Sequence, residues 1–126
     1  MAVYRLVISG DPRTKKNSQR IVRAGNYMKI LPSNQYKEYE KNFLVDCMYQ
    51  GMWRKKLKNK MNIKCVYYMK TRRKVDLVNL LEATMDCLVA SEVIEDDNCS
   101  IAYSHDGSCV KYDKERPRVE IEMEEI

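Results

Sequence analysis

The chain has 126 residues, of which 44% are hydrophobic and 33% charged, and its formal net charge at pH 7 is +5. This length predicts one domain, residues 1–126, with its own core, and no apolar run reaches the roughly 18 residues that a membrane span needs. Five cysteines without a Cys-x-x-Cys pair, and one histidine, argue against a disulfide framework or a structural zinc site and favour a reducing, cytoplasmic compartment.

The charge is divided unevenly along the chain. Residues 1–74 hold 19 Lys and Arg against 4 Asp and Glu, a balance of +15, whereas residues 75–126 hold 4 against 14, a balance of −10. A block this basic is a common electrostatic footprint of nucleic-acid binding. The alternative is a solvated basic surface that an acidic C-terminal half balances.

The first half of the chain predicts a strand, a basic connection and a helix. Residues 3–8 alternate as a strand does, and the turn residues 10–12 end it. The polar, basic stretch over 13–29 predicts a long loop or a loose hairpin. Pro32 and Ser33 then open a helix with Ser33 as its N-cap, and Gly51 ends or interrupts that helix.

The second half predicts one more helix between strands. Residues 62–69 alternate and are rich in strand formers, and residues 77–90 have helical spacing. Asp106-Gly107 is a two-residue hairpin signal between residues 99–105 and 108–113, and a last strand alternates apolar and Glu residues from 119 to 124. These elements predict an α+β fold, a small mixed sheet packed against two helices.

Carboxylates are concentrated between Asp76 and Asp97, beside a basic run at residues 72–74. Phosphodiester hydrolysis uses carboxylate oxygens to hold Mg²⁺, and phosphate binding uses the cations. We expect Asp76 and Asp97 to meet at one end of the sheet, because the intervening helix can return the chain there. Glu82 and Asp86 lie four residues apart on one helix face, so a bound cation or a nearby Lys or Arg would offset their repulsion. The alternative is that Asp76 caps the helix and that Asp96 and Asp97 form a turn.

The chain resembles the RusA family of Holliday junction resolvases, found in bacteria and their phages. The segments that carry this resemblance are Gly10-Asp11-Pro12 with Thr14-Lys15-Lys16-Asn17, Pro32-Ser33 with Tyr36 and Tyr39, Asp76 to Asp86, and Val93 to Asp97. The resemblance implies a small α+β homodimer that cuts four-way DNA junctions with Mg²⁺, two active sites serving two symmetric nicks. The first and last family aspartates fall on Asp76 and Asp97, and Asn79, Asp86 and Asp96 match other signature positions.

Two positions depart from the family pattern. Val78 stands where the family has a second Asp, and Glu82 where it has a Lys. One hypothesis is that Glu82 replaces the missing metal ligand, while Lys74, Lys15 or Lys16 supplies the positive charge. The rival hypothesis is a protein that binds junctions without cutting them.

The resulting site predictions are specific. We expect the catalytic residues to be Asp76, Asp97, Glu82 and Lys74, and the Mg²⁺ ligands to be Asp76, Asp97, Glu82 and Asp86. We expect the DNA backbone to be bound by Lys15, Lys16, Asn17, Arg20, Arg72, Arg73 and Lys74. A basic RNA-binding protein is a further alternative, which the acidic C-terminal half disfavours.

Overall fold

The computed structural model describes residues 1–15, 19–25, 27–32 and 34–126. The elements follow in the order β1 (Val3–Ser9), β2 (Gln19–Ala24), β3 (Tyr27–Pro32), α1 (Asn34–Tyr49), β4 (Met61–Met69), α2 (Leu77–Ala90), β5 (Ala102–Ser104), β6 (Cys109–Tyr112) and β7 (Arg118–Glu125). This is the predicted α+β fold, and the predicted Ser33 cap lies outside the described residues.

A mixed five-stranded sheet forms the centre of the molecule. Its order is β1-β7-β4-β5, with β6 also paired to β4. The pairs β1/β7 and β7/β4 are antiparallel, whereas β5 and β6 both run parallel to β4. In β4 the odd-numbered residues are buried and the even-numbered ones half-buried, which places the core on one face of the sheet.

Both helices contribute to that core. The buried residues of α1 are Tyr36, Tyr39, Phe43 and Cys47, and those of α2 are Leu80, Ala83, Thr84, Met85, Cys87 and Leu88. The Tyr67 hydroxyl of β4 lies 2.7 Å from the Thr84 hydroxyl, which itself donates to the Leu80 carbonyl. The helical spacing of the apolar residues therefore predicted both helices correctly. No helix among the described residues is long and apolar enough to cross a membrane.

Helix α1 ends as the sequence predicts, and its last turn covers a sheet edge. Gly51 has a φ of +71°, and its N–H donates to the Met48 carbonyl while the Met52 N–H donates to Cys47, as in a Schellman cap. The preceding Gln50 side chain accepts from the Val7 N–H at 2.8 Å and donates to the Val7 carbonyl at 2.6 Å. A side chain therefore pairs with backbone groups of β1 that face no further strand in the sheet order.

The basic stretch after β1 contains a hairpin, whereas the hairpin predicted at Asp106-Gly107 is wrong. Strands β2 and β3 pair with each other as a separate two-stranded sheet. Strands β5 and β6 do not reverse direction, because both run parallel along the same strand, β4. Between them His105 Nδ1 lies 2.8 Å from the Ile63 carbonyl, and the Ser108 hydroxyl accepts from the Cys65 N–H. Side chains of the connection between β5 and β6 thus pair with backbone groups of β4 where neither strand does.

Candidate active site

Asp76 stands at the start of α2 and caps it. Its Oδ1 accepts from the Val78 N–H at 2.9 Å and the Asn79 N–H at 3.3 Å, satisfying two of the N–H groups that open the helix. The sequence left capping and metal binding as alternatives, and the structure shows the cap. The two roles are compatible, since a carboxylate has a second oxygen and Asp76 is exposed.

Glu82 and Asp86 lie on one face of α2, as predicted, and a lysine lies beside them. The Lys15 Nζ is 3.6 Å from Asp86 Oδ2 and 5.9 Å from the centre of the Tyr36 ring. Thr14, Lys15, Asn79, Glu82, Ala83 and Asp86 together line a small surface cleft. The cation that was expected to offset the repulsion between the two carboxylates is therefore Lys15. This cleft and Asp76 are called the α2 site below.

Other predicted DNA-binding cations lie just before the start of α2. Arg73 lines a cleft with Arg13 and Thr14, and the Arg72 guanidinium lies 4.0 Å from the centre of the Tyr112 ring. Lys74 is exposed two residues before Asp76. Three further predictions are not described, since Lys16 and Asn17 lie outside the described residues and only the backbone of Arg20, in β2, is described.

Asp97 lies at the opposite end of α2 from Asp76. The 14 residues of α2 span about 21 Å, and the chain beyond it joins the start of β4, where the Met61 N–H donates to the Ile101 carbonyl. The expectation that Asp76 and Asp97 meet within one chain is therefore wrong. The physical reason is that a helix packed antiparallel to the preceding strand returns the chain to the start of that strand.

The loop that carries Asp97 is held by its neighbours. Asp96 Oδ1 accepts from the Asp97 N–H at 2.8 Å and Asp96 Oδ2 accepts from the Asn98 amide at 2.8 Å. These two hydrogen bonds, the backbone one first, lower the pKa of Asp96 below its usual value. Asp96 thus shapes the turn that the sequence allowed, and it leaves Asp97 exposed beside it.

The carboxylate oxygens of the α2 site supply part of what a Mg²⁺ site needs. Mg²⁺ takes one or two carboxylates together with water and phosphate oxygens, and Glu82 and Asp86 on one cleft supply such a pair. Across the described part of the chain, however, no three His, Cys, Asp or Glu side chains converge as a metal site.

The structure adds two features to the site that was predicted from the sequence. Val78, at the position where the family has Asp, is 69% exposed, so the core does not require an aliphatic side chain there. The cations beside Asp97 come from the loop over residues 53–60, because the Glu95 N–H donates to the Leu57 carbonyl and Leu57 bridges to Ile94. The residues 72–74, close in sequence to Asp76, lie at the other end of α2.

Comparison with known proteins assigns the family. A family model described as Endodeoxyribonuclease RusA matches residues 9–124. A search of curated proteins finds no match. The matched range includes the basic stretch after β1, the α2 site and the loop that carries Asp97. The chain belongs to the RusA family of endodeoxyribonucleases, which act on Holliday junctions.

Proposed function

We propose that the protein is a Mg²⁺-dependent endonuclease that resolves four-way DNA junctions by paired symmetric nicks. The observation that carries this proposal is the family match over residues 9–124. The α2 site supports it, because Asp76, Glu82 and Asp86 place carboxylates along α2, with Lys15 beside Asp86 and with Arg73 and Lys74 just before Asp76. Anionic oxygens for a cation and cations for the DNA backbone are the groups that this chemistry needs.

Each residue of the α2 site has a role in this proposal. Asp76 and Asp97 would hold the metal, with Glu82 or Asp86 assisting, and the metal when bound would polarise the phosphate and activate water. Glu82 takes the place of the carboxylate that Val78 lacks. Lys15, whose ammonium lies 3.6 Å from Asp86, supplies the positive charge that the family places at position 82. Lys74 and the neighbouring arginines hold the DNA backbone.

The position of Asp97 supports a homodimer. Two symmetric nicks need two sites, which a two-fold axis provides. Because Asp76 and Asp97 lie about one length of α2 apart, roughly 21 Å, one chain does not bring them together. A two-fold dimer does so if Asp97 of the partner subunit lies against Asp76, and the same contact then recurs in the second site.

A mixing experiment tests this shared arrangement. The variants Asp76→Asn and Asp97→Asn are each inactive as homodimers, since both sites lose a carboxylate. In a mixed dimer one shared site loses both carboxylates and the other keeps both, so nicking of a synthetic junction returns on mixing, one strand per dimer. If each site used residues of one chain only, every site in the mixture would remain damaged. Absence of recovery in mixtures shown by mass spectrometry to contain heterodimers would contradict the shared site.

A second function, junction binding without cleavage, is favoured by two observations. Val78 and Glu82 depart from the family pattern, and Lys15 already neutralises Asp86. The discriminating experiment is cleavage of a four-way junction with and without Mg²⁺ by the native protein and by Asp97→Asn. Mg²⁺-dependent paired nicks that the variant loses support the nuclease. Tight binding without nicks by the native protein would establish the binder instead.

A further inference from the structure

The loop between α1 and β4 is the most basic short segment of the chain. Residues 53–60 read Trp-Arg-Lys-Lys-Leu-Lys-Asn-Lys and contain no acidic residue. The loop runs beside the segment that leads to Asp97. The Arg54 N–H donates to the Ser91 carbonyl, the Lys56 N–H to Glu92 and the Leu57 N–H to Val93. This basic loop lies at the end of α2 opposite Asp76.

The backbone of the basic loop is held in an unusual conformation. Arg54, Lys56 and Glu92 have φ values of +58°, +50° and +57°, in the left-handed region that non-glycine residues avoid at a cost of roughly 1 kcal/mol each. Glu92 Oε2 accepts from Arg54 Nε at 3.0 Å, and Glu92 Oε1 lies 3.7 Å from the Lys56 ammonium. These pairs join the three residues, so the loop presents its side chains from a defined backbone.

Three lysines of the basic loop have no acidic partner in the described part of the chain. Among the described residues no carboxylate pairs with Lys55, Lys58 or Lys60. Two carboxylates that contact the loop have other partners, since Glu92 pairs with Arg54 and Lys56, and Glu125 accepts from the Asn59 amide at 3.1 Å. Both rings at this surface carry a cation: the Arg54 guanidinium lies 4.5 Å from the Trp53 ring centre, and the Lys60 ammonium lies 4.7 Å from that of Tyr103. The basic loop therefore exposes positive charge from a backbone that hydrogen bonds and ion pairs hold in place.

We propose that the basic loop is a second DNA-contact surface, which binds the sugar-phosphate backbone of a junction arm beside Asp97. The proposal rests on the proposed function in taking DNA as the ligand. Lys55 to Lys60 spans at most roughly 18 Å, which corresponds to about five base pairs of duplex at 3.4 Å each. Such a surface matches the spacing of several phosphates, and it contributes affinity and orientation without reading sequence.

The test is a charge-matched pair of triple variants. Lys55→Gln with Lys58→Gln and Lys60→Gln removes the three unpaired charges and leaves the Glu92 pairs intact. The control, Lys37→Gln with Lys41→Gln and Lys114→Gln, removes three exposed lysines elsewhere. Affinity for a synthetic four-way junction is measured without divalent metal over a range of KCl, and thermal unfolding verifies that both variants fold.

The salt dependence separates a local contact from a change in net charge. Each phosphate contact contributes about 0.9 to the slope of log K against log[salt], so the loop variant should lose roughly 2 to 3 units of slope and about 10- to 100-fold of affinity at 0.2 M salt. The control should keep the native slope. Equal losses in both variants, or none in the loop variant, would overturn the proposal while native binding upholds the proposed function. Failure of the native protein to bind any junction would overturn the proposed function itself.

Discussion

Substitution of Asp76 separates its capping role from its proposed role as a metal ligand. Asp76→Ala removes the acceptor of the Val78 and Asn79 N–H groups, and loss of such a cap costs typically about 1 kcal/mol. For a chain of 126 residues that corresponds to a fall in Tm of about 4 °C. Asp76→Asn keeps a side-chain acceptor and loses only the charge near the helix dipole, which costs about 0.3–1 kcal/mol. Because Asp76→Ala loses the charge as well as the acceptor, we expect Asp76→Asn to be the more stable of the two variants.

The cleavage activities of the two variants should not follow the order of their stabilities. If the second carboxylate oxygen holds a metal, both variants lose cleavage, by about 100-fold or more on the scale of a single electrostatic stabilising group. Thermal unfolding and junction cleavage are measured on the same samples. Asp46→Asn is the matched control, because that carboxylate accepts from the Ser9 N–H and hydroxyl at the end of β1 and should change stability alone. An Asp76→Asn protein as active as the native one would refute the ligand role and leave only the cap.

Three other predictions use different parts of the molecule. Val78→Asp restores a carboxylate on the exposed first turn of α2 and should increase both Mg²⁺ affinity by calorimetry and the cleavage rate. Val45→Asp, at an exposed position of α1, should change neither. Gln50→Ala uncovers the Val7 backbone groups on β1 and should increase self-association in sedimentation experiments; an unchanged sedimentation profile would contradict this. In native protein at pH 8 an alkylating reagent should label the exposed Cys99 rapidly, and fast labelling of all five thiols would refute the buried assignment. Burial raises the pKa of Cys47 to about 11 and the pKa values of Cys65 and Cys87 to about 12. Since these folded pKa values exceed the unfolded value of about 8.5, stability is fully present below that pH and is lost as pH rises toward 11–12.

Local patterns predicted the elements well where burial is one-sided. The predicted helix 77–90 is the observed α2, and the predicted strand 62–69 is β4 but for one residue, because a half-buried strand or helix imposes a period on its apolar residues. Gly51 ended α1 as predicted, since its left-handed φ suits glycine.

Pairing was harder to predict because it depends on residues distant in sequence. Asp106-Gly107 carries a turn signal, and Gly107 does have a positive φ of +89°. The turn nevertheless belongs to a bulging edge rather than a hairpin, because Asn62 of β4 accepts from the Asp106 N–H and donates to its carbonyl. The local sequence specifies the bend, and β4 decides where the next strand lies.

The α2 site was predicted only in part for the same reason, because some of its residues are neighbours in sequence and others are distant. Asn79, Glu82 and Asp86 share a helix face, which spacing alone reveals, whereas Lys15 reaches that face from a loop more than 60 residues earlier in the chain. Asp97 is the opposite case: its family position was recognised, but its place in space was not. Because the chain after α2 joins the loop before β4 and the start of β4, Asp97 lies about the 21 Å length of α2 from Asp76. If both carboxylates act on one phosphate, the site is therefore a property of the dimer, and the basic loop beside Asp97 then lies at the edge of the partner's site.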